Sequence, residues 1–176
     1  MAHITEEEIA ASELRNAAYH EAGHKILYER FGGAGDAVIR RNESGNPEER
    51  AWRGQFRPRT CPEDARNVAI QCGFPAAVLP ANWKVVVGMA GLLAEEILDC
   101  GTDDVETLAE GLLRRITAGE ASASDLALMN ISDIDKCELN YKVVDEAARL
   151  LREGWVAVQQ EAEYLIEFAE SEPACQ

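Results

Sequence analysis

The chain has 176 residues, enough for one domain with a real core that needs no disulfide staples. Its 32 acidic residues against 17 basic ones leave a formal charge of −15, which disfavours nucleic acid and anionic membrane as partners. Hydrophobic residues at 47% and aromatic residues at 6% fit an ordinary soluble, α-rich protein.

The first twelve residues, MAHITEEEIAAS, are acidic and lack an apolar core, so they do not read as a signal or transit peptide. No apolar run is long enough to span a bilayer; the best candidate, 85–98, contains Glu95 and Glu96. Five cysteines, at 61, 72, 100, 137 and 175, form no CxxC pair, which points to free thiols in a reducing compartment. The expectation is a soluble, cytoplasmic protein.

Thr5 with Glu8 three residues later reads as a capping box that opens a helix over 6–31, stopped by Gly32 and Gly33. Within it lies Tyr19-His20-Glu21-Ala22-Gly23-His24. Residues four apart on a helix leave the same face, so His20 and His24 offer two imidazole nitrogens to one metal ion. Glu21 projects about 100° round from His20, poorly placed as a ligand but within reach of a water on the metal. This is the HExxH arrangement of zinc hydrolases, with Glu21 as general base. The motif sits among Ala17, Ala18, Ala22, Ile26 and Leu27, a helix built for burial, where unpaired polar groups are costly. Gly23 costs about 1 kcal/mol in mid-helix relative to alanine, so a second backbone is expected to approach it closely.

Residues 37–41 and 51–57 read as strands of a small β-hairpin across a polar turn. In AWRGQFR, Trp52, Gly54 and Phe56 alternate with Arg53, Gln55 and Arg57. A peptidase must hold its substrate extended, and the free edge of this strand at Arg53, Gly54 and Gln55 is the candidate for it. Arg50, Arg53, Arg57 and Arg59 form a basic island; Arg53 and Arg57 offer an acidic substrate side chain a partner, or simply pair with the chain's own carboxylates.

Residues 61–72 form a candidate helix with Pro62 in its first turn, followed by a loop over 73–82. Residues 83–98 are apolar nearly all round and so central, with Gly88 and Gly91 expected to face the histidine helix. Glu95 and Glu96 at its end need partners, and an N–H of His20 or His24 suits them. Another amphipathic helix is expected over 102–117, a small-residue turn over 118–124, and a long amphipathic helix over 138–170 that Gly154 bends. The tail, 171–176, reads as frayed.

A catalytic zinc wants a third protein ligand. The only other histidine, His3, lies near the N-terminus, so a carboxylate is expected, and spacing leaves Glu95, Glu96, Asp103, Asp104 and Asp125 open.

NAAYHEAGHKIL at 16–27, MAGLLAEEIL at 89–98 and AGEASASDL at 118–126 resemble, in order, segments of the FtsH-type AAA-protease peptidase domain. The resemblance covers most of the chain and implies a single helical, zincin-like domain of α+β class, mostly α with a small β-hairpin, over 1–176. It implies Zn²⁺ as cofactor and Asp125 as third ligand; aligning TDDVETL instead would make it Asp104. It implies a metalloendopeptidase acting on a peptide or unfolded protein. No GxxxxGK[ST] phosphate loop and no AAA module occur in this chain, and 102–117 stands where the family has a short connection. The alternatives are a non-catalytic zinc-binding module and a zinc hydrolase of small amides. The sequence leaves the oligomeric state open, a homo-oligomer included.

Overall fold

The computed structural model describes residues 5–44, 46, 49–76 and 78–171; His3, Cys175 and the tail after 171 lie outside the described residues. The fold is mostly α-helical with one small antiparallel sheet, and it is organised on two closely packed helices. The first, α1 (Glu6–Arg30), opens on the expected capping box, in which Thr5 accepts from Glu8 N–H and the Glu8 carboxylate accepts from Thr5 N–H. The second, α3 (Trp83–Cys100), is buried along every residue from Val86 to Ile97. Their close approach explains Gly23: a Cβ there would stand 2.7 Å from the carbonyl oxygen of Ala90.

Between them, β1 (Ala34–Arg41) and β2 (Trp52–Thr60) pair antiparallel, with Ile39 opposite Gly54 and Ala37 opposite Phe56. Trp52, Gly54 and Phe56 are half-buried while Arg53, Gln55 and Arg57 are exposed, so the sheet lays one face on α1. Phe56 and Trp83 both meet Tyr28 edge-on, at 5.1 and 5.9 Å between ring centroids, which fastens hairpin and α3 to the end of α1. Helix α2 (Pro62–Gln71) follows, with Pro62 as its one buried residue.

Helix α4 (Val105–Thr117), capped by Asp104, packs on α3. The turn read over 118–124 ends two residues earlier, at 122, where a short helix, α5 (Ala123–Leu128), begins. Ser122 caps it, its hydroxyl accepting from Asp125 N–H while the Asp125 carboxylate accepts from Ser122 N–H. A single 3₁₀ turn, Ile134–Lys136, leads to α6 (Tyr141–Glu153) and α7 (Trp155–Ser171). Gly154 therefore does more than bend a long helix: it separates two, α6 packing on α3 and α7 on α1.

Gly88 departs from expectation. It faces α5, where a Cβ would meet Leu128 Cβ at 2.7 Å, while Gly91 faces the histidines of α1. Residues three apart are offset by about 60° on a helix, so the two glycines serve neighbouring contacts. Among the described residues no helix is long and apolar enough to cross a membrane.

Candidate metal centre

His20 and His24 leave α1 toward α3 and α5. Glu95 Oε1 accepts from His20 Nδ1 at 2.6 Å, and the carbonyl of Val87 accepts from His24 Nδ1 at 2.8 Å. A carbonyl only accepts, so His24 carries its proton on Nδ1 and presents a bare Nε2. The same tautomer of His20, held by a carboxylate, presents its Nε2 as well. These two nitrogens lie 3.1 Å apart. Asp125, delivered by α5, completes the cluster, with Oδ1 3.1 Å from His24 Nε2 and Oδ2 3.5 Å from His20 Nε2. Ligand atoms of the three side chains all lie within 4.8 Å of one another.

With both Nδ1 atoms protonated, two bare nitrogens and a carboxylate facing one another repel unless something positive, a further proton on Nε2 or a metal ion, sits among them. The electrostatics of the site agree. Burial alone would lower the pKa of His20, but hydrogen bonds to Asp125 and Glu95 and the charges of Glu95 and Glu21 raise it to about 10. Burial would likewise raise Asp125, yet the hydrogen bonds and charges of the two histidines hold it well below the usual carboxylate range. Two imidazoles and a carboxylate are a donor set that would suit a zinc ion. Gly91 makes room for it, since a Cβ there would stand 2.5 Å from His20 Nε2 and 2.6 Å from His24 Nε2.

Glu21 lies beside the cluster, 6% exposed. Burial, its largest influence, pushes its pKa above the usual carboxylate range against the pull of His20 and His24. Such a carboxylate takes up a proton more readily than an exposed one. Its side chain rests against β2 at Gly54, where any Cβ would collide with its Oε1. A cleft of about 590 Å³ opens here, walled by His20 and Glu21 on α1, Trp52, Arg53 and Gly54 on β2, and residues 118–122 opposite.

Of the other sequence candidates, Glu95 touches a histidine of the cluster and Glu96 does not. Glu96 instead accepts from Arg115 Nε at 2.8 Å, and Arg115 Nη1 reaches Glu95 Oε2 at 3.1 Å. Asp104 caps α4 through Thr107, and Asp103 pairs with Arg152 at 3.0 Å; neither joins the cluster. Gln55 does not line the cleft, and its side-chain oxygen accepts from Arg57 Nε. Arg50, Arg53 and Arg59 pair with Glu120, Glu49 and Asp36, the chain's own carboxylates. Sequence reasoning missed Arg115, which presents its guanidinium to Glu95, Glu96, Asp99 and Glu120. The signal for it was two adjacent buried glutamates without a named cation.

Compared with known proteins, the chain matches no family model and no curated sequence.

Proposed function

We propose that this protein is a zinc-dependent metalloendopeptidase of the cytoplasm, similar to the FtsH-type peptidase domain, acting on extended peptide or unfolded protein. The observation that carries the reading is the convergence of His20, His24 and Asp125, with Glu21 beside them and an open cleft lined by His20 and Glu21. Those three side chains would hold the ion. A Zn²⁺ ion bound there supplies Lewis acidity, activating water and polarising a carbonyl. Glu21 accepts the proton given up by the attacking water and returns it to the leaving amine. Glu95 fixes the ring of His20 through Nδ1, and Val87 fixes that of His24, so both Nε2 atoms stay aimed inward. Among the described residues β2 pairs only with β1, which leaves its other edge to run beside an extended substrate, with Gly54 allowing close backbone approach. Arg53 borders the same cleft.

The rival of a non-catalytic zinc module needs no cleft; the space beside Glu21 favours the enzyme. Protein purified without chelator should carry about one zinc per chain. Glu21→Gln should keep the metal and lose cleavage of an unfolded protein substrate by at least about 10²-fold. Zinc-free protein would sink the metal reading, and equal cleavage by wild type and variant would sink the catalytic one.

A further inference from the structure

The active cleft does not end at the metal centre. A second cavity, of about 550 Å³, is lined by Glu8, Ile9, Ser12, Glu13 and Asn16 of α1 together with Arg50, Arg115 and Glu120. The first is lined on α1 by Ala17, His20 and Glu21, and it shares Arg50 and Glu120 with the second. Residues 8, 9, 12, 13, 16, 17, 20 and 21 recur at helical spacing, so they form one face of α1. That face runs for about 20 Å at 1.5 Å per residue, the length of about six residues of extended chain. The two residues the cavities share meet each other, Arg50 Nη2, from the hairpin connection, lying 3.3 Å from Glu120 Oε2. The hairpin is tied to the groove floor nearby, where Glu13 accepts from Ala51 N–H at 2.6 Å.

The charges of the second cavity select an occupant. Glu8, Glu13 and Glu120 outnumber Arg50 and Arg115, and Arg115, which meets Glu120 at 2.9 Å, also serves Glu95, Glu96 and Asp99 behind the cavity. The lining is therefore net negative, in a chain of charge −15. The Arg50–Glu120 pair is half exposed, and such pairs are weak enough to exchange. Ile9, exposed at the rim, adds an apolar contact.

We propose that this second cavity is a substrate subsite. It takes the part of an extended polypeptide lying several residues from the bond held at Glu21, and a lysine or arginine of that segment replaces Arg50 against Glu120. The inference rests on the peptidase reading for the direction of the bound chain, and it names the substrate class: extended polypeptides carrying a basic residue away from the scissile bond.

The test is fluorescence anisotropy with labelled peptides on the Glu21→Gln protein, which prevents turnover. The peptides are a neutral tetrapeptide and two decapeptides that differ only in lysine or glutamate at the distal end. The lysine decapeptide should bind at least about fivefold more tightly than the glutamate one, the span of one exchanged ion pair. Ser12→Trp, an exposed position that fills the second cavity, should abolish that difference and leave tetrapeptide affinity unchanged. Arg50→Gln should act in the opposite sense, raising affinity for the lysine decapeptide. Equal binding of the two decapeptides overturns the proposal, as does a Ser12→Trp effect shared equally by the tetrapeptide. Wild-type protein that cleaves the tetrapeptide while the decapeptides bind alike retains the peptidase reading and loses the subsite. The expected binding pattern without any cleavage supports the groove and overturns the peptidase reading.

Discussion

Replacing Gly91 by alanine tests the metal centre without removing a single donor atom. The new Cβ would lie 2.5 Å from Cδ2 and Nε2 of His20 and 2.6 Å from Nε2 of His24. Comfortable carbon contacts begin at about 3.5 Å, so the rings must retreat by roughly 1 Å. Metal–ligand distances tolerate about 0.2 Å. Neither ring can retreat freely, because Glu95 holds one at 2.6 Å and Val87 holds the other at 2.8 Å. Gly91→Ala should therefore weaken zinc binding by at least about 100-fold, the upper end of what losing a ligand's supporting partner costs. The fold should survive. Overpacking costs about 1–3 kcal/mol, and alanine returns about 1 kcal/mol of helix propensity, against a total stability of about 5–15 kcal/mol. Competition with a chelating dye reads the affinity, and circular dichroism confirms the helices. A folded Gly91→Ala protein that binds zinc as wild type does would refute the placement of the ion between these two nitrogens.

Asp125→Ala should lose the metal as completely as His24→Ala, whereas Asp104→Ala should leave metal affinity alone and lower the melting temperature by the loss of a helix cap, about 1 kcal/mol. Metal competition and thermal melts on both variants decide it, and the reverse pattern would restore Asp104 as the ligand. Glu95→Gln should weaken zinc affinity by about 10- to 100-fold while leaving the helical content intact. Unchanged affinity would mean that the orientation of His20 does not matter to the ion.

Local rules carried much of the fold. The capping box at Thr5, the alternation of Trp52, Gly54 and Phe56 and the apolar run of α3 each state their element within a few residues. The HExxH spacing placed His20 and His24 together for the same reason, since one helix turn joins them. The rest depended on distant partners. Ser122 and Asp125 form a capping box, but with aspartate at its third position in place of glutamate or glutamine, and the helix it opens is only six residues long. A short helix has little periodicity to read, so the turn read over 118–124 overlaps the first two residues of α5 and leaves 125–128 without an element. Gly88 was assigned to the wrong neighbour because spacing tells which residues share a face and not which helix that face meets. Ion pairs such as Arg50 with Glu120 join residues far apart in sequence, and no local pattern announces them.

Arg115 shows what α4 does for the site. On α4 it falls beside Leu108, Leu112 and Ile116 in an amphipathic pattern and reads as a solvated cation; in the fold it is 8% exposed. Gly111, one turn earlier on the same face, lacks the side chain that would collide with Glu96, and this lets α4 close on α3. Burial would lower the guanidinium's pKa, but the hydrogen bond to Glu96 and the charges of Glu95, Glu120 and Glu96 raise it further above its ordinary range. Such a buried ion cluster is a poor device for stability, because well-packed apolar residues often match or exceed it. An apolar patch could not do what Glu95 does, which is to offer a charged oxygen to His20 Nδ1. Glu95 is 1% exposed and would be costly to keep as an unpaired carboxylate at that depth. Arg115 Nη1, on its other oxygen, is the counter-charge that lets it stay there. The same nitrogen reaches Glu120 at 2.9 Å, so the groove wall and the support of His20 share one guanidinium. Helix α4 is thus the back of the proposed metal centre, and its Arg115 holds the two buried carboxylates, Glu95 and Glu96, one of which orients the imidazole of His20.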